Sequence, residues 1–87
     1  MPDMRIEVLS ELVKGEYLLI NSIDYLSKNI KELSSTNRSL NESLRYLIDG
    51  NCIIPINEYE EWKIFSESDK IELLEAQNKI VRTILLS

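Results

Sequence analysis

The side chains that most often perform catalysis or bind metals are scarce in this sequence. There is no histidine, and Cys52 is the single cysteine, so a histidine base and a pair of thiolate ligands are both missing. Glu72 and Glu75 stand at helical spacing, but a solvated helix face cannot turn two carboxylates into an acid and a base. The chain also has no glycine-rich phosphate loop and no nucleophile elbow. We therefore predict a protein that is not an enzyme, with no cofactor, no metal site and no small-molecule substrate.

The distribution of charge argues against a nucleic-acid partner. The chain has ten basic and fifteen acidic residues and a formal net charge of −5. Its lysines and arginines are scattered, whereas a phosphate-binding surface needs them clustered. The residues before the leucine-rich region include Asp3, Glu7 and Glu11, so they do not form the basic region of a zipper-type DNA-binding protein. We predict no nucleic-acid partner.

The N-terminus and the hydropathy pattern indicate a soluble intracellular protein. Acidic residues occur early, and apolar runs such as residues 17–20 are far shorter than the ~20 residues of a membrane span. Cys52, as a single cysteine, cannot form an internal disulfide. We expect no membrane insertion and a cytoplasmic or nuclear location.

Apolar residues recur with a period of seven through the first half of the chain. Leucine occupies every seventh position six times, and a second set of positions lies three residues before each leucine. We call these twelve positions the seam, and ten of them are apolar. No proline interrupts residues 3–54, and Gly15 is the one residue that weakens the run. The pattern is typical of a coiled coil and predicts one long helix over residues 4–49. The leucines stand at positions 12, 19, 26, 33, 40 and 47.

The second half of the chain predicts a joint and a further helical segment. Gly50 supplies a left-handed C-terminal cap, and residues 50–57 form the joint. Asn57 and Glu60 have the spacing of a capping box, so a helical segment over residues 58–86 begins there. Residues 66–69 are a break or a restart, because serine and aspartate favour caps. Whether the segment is one helix or two stays open.

The predicted fold class is all-α. A helix over residues 4–49 would be ~68 Å long, whereas a compact chain of this length has a radius of gyration near ~12 Å. We therefore predict that the second segment folds back as an antiparallel hairpin and that partner helices complete a bundle. In the favoured register, Leu47 faces Ile64 and Ile30 faces Val81; a shift of one heptad fits almost as well.

Two groups of residues are predicted to bind a protein partner. The first is the seam, in which Asn37 is a polar residue able to fix register. The second is the aromatic group near the joint, which either docks a partner or plugs the open end of the hairpin. The flanks of the seam lack the charge pairs of simple dimers, so a homomeric or heteromeric bundle is favoured over a two-stranded dimer. The predicted partner-binding residues are Leu9, Leu12, Leu19, Ile23, Leu26, Ile30, Leu33, Asn37, Leu40, Tyr59, Trp62 and Phe65.

Two functions fit these features. The first is a structural interaction subunit that assembles through its coiled-coil seam into a larger protein complex as a scaffold, adaptor or tether. The second is a small helical chaperone or inhibitor that captures a client protein with its aromatic joint and its acidic second helix. Fixed stoichiometric partners would indicate the first function, and varied transient partners the second.

Overall fold

Four α-helices and a two-stranded sheet make up most of the part of the chain that the structure describes. The computed structural model describes residues 3–33 and 37–86. The protein is mostly helical, as predicted, with a small sheet in addition. In chain order the elements are α1 (Met4–Val13), β1 (Tyr17–Leu19), α2 (Ile23–Leu33), α3 (Leu40–Asp49), β2 (Ile53–Pro55), two 3-10 helices (Ile56–Glu58 and Glu60–Ile64) and α4 (Glu67–Leu86).

Gly15 ends the first helix, so the prediction of one helix over residues 4–49 is wrong. Gly15 has a φ of +80°, a left-handed conformation that glycine adopts without steric cost. Its N–H donates to the carbonyl of Leu12 at 3.1 Å, which closes the last turn of α1. The chain then extends into β1 instead of continuing the seam.

Serine residues cap the later helices at their N-termini. Each accepts a hydrogen bond at its side-chain oxygen from the backbone N–H three residues further on, which satisfies one unpaired donor of the first turn. Ser39 has an extended backbone (φ −71°, ψ 164°), so the predicted long helix is interrupted a second time; residues 34–36 of that prediction lie outside the described part. The three bonds join Tyr25 to Ser22, Glu42 to Ser39 and Asp69 to Ser66, at 3.2, 3.2 and 3.1 Å.

The predicted joint at residues 50–57 contains a strand. β2 pairs antiparallel with β1, with Leu18 opposite Ile54. The left-handed residue at the end of α3 is Asn51, with a φ of 60°, whereas Gly50 has a φ of −83°. Asparagine is the residue after glycine that best tolerates this conformation. The predicted end of the helix near residue 49 is confirmed, and the residue predicted to adopt the left-handed conformation is corrected.

The segment after β2 forms 3-10 turns before its long helix. Asn57 and Glu60 were predicted to open a helix, but the turn that starts at Glu60 has no side-chain cap. The predicted restart at residues 66–69 is confirmed, because Ser66 caps α4. Residues 58–65 are therefore not α-helical, and α4 is a separate helix.

The core lies where α1, α2 and α3 meet over the sheet. These three helices each bury three residues, and Cys52 and Ile53 join the same cluster. The radius of gyration is 12.8 Å, and the extents are 40 × 25 × 20 Å, close to the ~12 Å of a compact chain of this length. Because the breaks at Gly15 and Ser39 let short helices cover one another, the elongated shape predicted for the chain is not observed.

The C-terminal helix α4 lies antiparallel on α1, not on the leucines of residues 26–47. Its residue Leu74 is near Gly15, Gln77 contacts Leu12, and α1 is its main neighbour. The predicted pairing of Leu47 with Ile64 is not formed, since Ile64 is 80% exposed. The hairpin register predicted from the seam is therefore wrong, because α2 and α3 already cover those leucines.

Candidate functional site

Gln77 attaches α4 to the rest of the protein. Its side-chain oxygen accepts a hydrogen bond from the N–H of Leu19 at 2.8 Å, and its amide nitrogen donates to the carbonyls of Tyr17 at 2.7 Å and Leu12 at 3.3 Å. Gln77 is buried, and one carboxamide thereby satisfies three backbone groups where α1 turns into β1. Sequence reasoning missed this residue. The available signal is its place between Leu74 and Val81 at helical spacing.

Most of α4 is exposed. The helix has 20 residues, of which Gln77 and Val81 are buried. Apolar side chains flank the buried stripe on both sides, and Leu86 lies beyond it. This is the largest set of exposed apolar residues on any described element. Its members are Ile71, Leu73, Ile80, Leu85 and Leu86.

An apolar groove extends the surface of α4 onto α1 and α2. It has a volume of about 460 Å³, and among its lining residues are Ile6, Ile30 and Leu85. Ile6, on α1, is 56% exposed. Arg5, which also lines the groove, pairs with Asp3 at 2.8 Å and holds the pKa of that carboxyl below its usual value. The groove thus has an apolar floor and a charged edge.

Asn78 carries a polar atom without a partner. Its side-chain oxygen Oδ1 is buried, yet it accepts no hydrogen bond from any residue that the structure describes. The residue as a whole is half-buried and lies between Ile71 and Leu85 on one flank of α4. A buried carbonyl oxygen without a donor costs free energy.

A second polar surface lies on α2 and α3. Tyr46 donates its hydroxyl to Glu32 at 2.7 Å, which links the two helices and raises the pKa of the tyrosine. The guanidinium of Arg38 stacks over the ring of Tyr46 at 4.8 Å. Asn41 and Arg45 are exposed on the outer face of α3. This face carries amide and guanidinium donors and little apolar area.

The structure places most predicted seam residues inside the protomer. Leu19 lies in β1 and Leu40 at the start of α3, both half-buried, whereas Ile23 and Asn37 are exposed. Asn37 precedes α3 and does not belong to a helical seam. Five of the predicted partner-binding residues are buried in this arrangement, although Leu9 and Ile30 also line the groove. The five buried residues are Leu9, Leu12, Leu26, Ile30 and Leu33.

The three aromatic residues near the joint contact one another. Phe65 makes edge-to-face contacts with Tyr59 and with Trp62, each at 6.2 Å between ring centroids. The ammonium of Lys70, from the first turn of α4, lies 5.7 Å from the centre of the Trp62 ring. All three rings are half-buried. Their spacing of three therefore brings them into one cluster, part of whose surface is already used within the chain.

Among the described residues there is no group of carboxylate or thiol side chains able to hold a metal ion. Cys52 is buried, and burial raises the pKa of its thiol, which disfavours the reactive thiolate. A search of the described helices finds none with the length and hydropathy required to cross a bilayer.

Comparisons with protein-family models, with curated proteins and with solved structures find no match for this chain.

Proposed function

We propose that the protein is a non-enzymatic interaction subunit that binds a protein partner through α4 and the adjoining groove. It would act as a scaffold, adaptor or tether in a larger complex. The observation that supports this proposal is the exposed apolar surface of α4. It replaces the seam of residues 9–40 as the binding surface, because most seam leucines are buried in the protomer.

The energetic argument rests on the size of the exposed side chains. Burying a side chain such as Ile71 or Ile80 contributes about 1.5–3 kcal/mol when it moves fully out of water. Ile71 is 56% exposed and Ile80 40%, so each would contribute about half of that range. Ile71 and Leu85 lie on one flank of the buried stripe, and Ile80 lies on the other. Extended apolar surfaces on soluble chains mark sites of association. A partner that covers this surface would therefore be stabilised by several such contributions.

The test is association at low concentration. The tagged chain is expected to purify with a stoichiometric polypeptide, either a second copy or another protein. The double substitution Ile71→Asp and Ile80→Asp should abolish that association while the circular dichroism spectrum stays helical. Lys79→Asp, at an exposed position on the side of α4 opposite the buried stripe, is the matched control and should leave association intact. A chain that stays alone at 10 kDa in all three forms would contradict the proposal.

A second candidate function is contact with a nucleic-acid duplex through α2 and α3, favoured by the order of the elements. Two consecutive helices, α2 and α3, pack with α1, and the strands that follow α1 and α3 pair with each other. A helix-turn-helix unit has two such helices, with the second facing outward into the major groove. Asn41 and Arg45 on the exposed face of α3 are residue types that bind base edges. This is a fold-level analogy, so it supports a function only as far as the surface does.

The charge distribution is compatible with this second candidate. Residues 21–49 contain four basic and four acidic residues and are neutral, so the net charge of −5 is carried by the rest of the chain. The sequence-based prediction of no nucleic-acid partner used the net charge of the whole chain. The charge of residues 21–49 is less unfavourable for binding a phosphate backbone than the net charge of the whole chain. The basic residues are Lys28, Lys31, Arg38 and Arg45.

Fluorescence anisotropy with a pool of random duplexes tests the second candidate. Binding is expected at about 50 mM salt and should fall steeply as salt increases. Arg45→Ala should weaken it by about 1–3 kcal/mol, whereas Lys79→Ala on α4 is the control and should not. Equal effects of the two substitutions, or no binding at low salt, would exclude this function.

A further inference from the structure

We propose that the partner of α4 is the α4 of a second copy of this chain, packed antiparallel about a two-fold axis beside Asn78. The inference rests on the proposed function and names the occupant of its surface. Two independent observations carry it: the spacing of the apolar residues about Asn78, and the placement of two charges.

The spacing of the exposed residues is symmetric about Asn78. Ile71 lies seven residues before it and Leu85 seven residues after it, and both are exposed on the same flank of the helix, 56% and 37% respectively. In a two-fold contact, residue i of one copy meets residue j of the other and the reverse also holds. Ile71 therefore meets Leu85 of the second copy at both ends of a contact about 21 Å long.

The half-buried side chain of Asn78 lies where this axis passes. Two copies related by the axis bring their Asn78 side chains together, and a carboxamide has both a donor and an acceptor. Polar pairs of this kind in apolar helix contacts fix register and orientation.

Two exposed charges on α4 are complementary under the same symmetry. Glu75 lies three residues before Asn78 and Arg82 four residues after it, on one edge of the apolar flank. Neither belongs to an ion pair within the described residues. The antiparallel arrangement places Glu75 of each copy opposite Arg82 of the other. A parallel arrangement would place these edges of the two copies on opposite sides of the contact, so the charges favour the antiparallel one.

The first experiment uses the full chain with one new cysteine at the axis. Asn78→Cys should form a covalent dimer under mild oxidation, since position 78 meets itself. Thr83→Cys, on another face of α4, should stay monomeric under the same conditions, and so should the unmodified chain, whose Cys52 is buried. Equal crosslinking at positions 78 and 83, or none at 78, would overturn the antiparallel pairing.

The second experiment exchanges the charges and needs no new cysteine. Glu75→Arg or Arg82→Glu alone should weaken the dimer about tenfold in sedimentation equilibrium, because each change places like charges opposite each other twice. The double variant should restore the original dissociation constant, and a double variant no tighter than either single one would overturn the proposal. If the chain is monomeric yet purifies with a different protein through α4, the proposal that the partner is a second copy is overturned, and the proposed function is not. A chain with no partner of any kind would overturn the proposed function as well.

Discussion

Helices α2 and α4 differ in how their apolar residues are distributed and in what covers them. In α2, 11 residues bury Leu26, Ile30 and Leu33, because α1 and α3 lie on either side of that helix. In α4, 20 residues bury only Gln77 and Val81, since α1 is its main neighbour. The comparison teaches that apolar periodicity identifies the apolar face of a helix. Whether that face meets the same chain or another one depends on how many neighbours the fold supplies.

The largest expected effect tests this contrast with one substitution type in both helices. Leu33→Ala in α2 removes a fully buried side chain and should lower the free energy of unfolding by about 2–5 kcal/mol. Leu73→Ala in α4, where the side chain is 39% exposed, should cost less than about 1 kcal/mol. Urea unfolding followed by circular dichroism measures both. Equal losses would mean that α4 is as well covered as α2.

A smaller effect on stability is expected from removing the hydrogen bonds that attach α4. Gln77→Met keeps the length of the side chain but leaves the N–H of Leu19 and the carbonyls of Tyr17 and Leu12 without this partner. The expected loss of stability is about 2–3 kcal/mol, compared with a few tenths for Lys79→Met on the exposed face.

Hydrogen exchange locates that loss. In the Gln77→Met variant, the amides of α4 should exchange well before those of α2 and α3, because only the attachment of α4 is weakened. Uniform acceleration across the chain would indicate that α4 belongs to the same cooperative unit as the other helices.

The next effect concerns the turn between α1 and β1, which Leu74 of α4 contacts. Gly15→Ala forces a side chain into a left-handed conformation and places its Cβ 3.3 Å from Leu74. We expect a loss of about 1–2 kcal/mol. Gly50→Ala is the matched comparison, because Gly50 has a negative φ and should lose clearly less. Thermal melts of the two variants measure the difference, and a reversed order would contradict the assigned backbone.

The smallest expected effect is at the start of α4. Ser66→Ala removes the acceptor for the N–H of Asp69 and should cost about 1 kcal/mol. Ser68→Ala, two residues further on and exposed, removes no capping hydrogen bond and should be nearly neutral. If the helix is held mainly by Gln77, the helical signal of α4 should persist in both variants at low temperature.

Much of the core was predictable from the sequence, because helical periodicity survives a change of fold. Of the ten apolar positions of the predicted seam, seven are buried, two are half-buried and Ile23 is exposed. The short helices each keep the spacing of three and four residues that the long helix would have had. The buried seven are Leu9, Leu12, Leu26, Ile30, Leu33, Leu44 and Leu47.

The helix boundaries were also present in the sequence, as local chemistry. Ser39 and Glu42 have the spacing of a capping box, and Gly15 is the residue most able to end a helix in a left-handed turn. The period of seven outweighed both signals in the prediction, although a two-residue seam can be produced by separate helices. The capping residues therefore indicate the helix boundaries better than the period of seven does.

Only the tertiary structure decided which face of α4 turns inward. Gln77 and Asn78 are neighbouring amides on α4, and the structure buries Gln77. The physical reason is that the turn from α1 to β1 leaves three backbone groups needing partners, and the longer side chain reaches them. Such a need arises only when Leu12, Tyr17 and Leu19 are brought beside α4 by the fold. The sequence by itself determined that this protein is helical and where its apolar residues repeat; the pairing of faces came from contacts between distant parts of the chain.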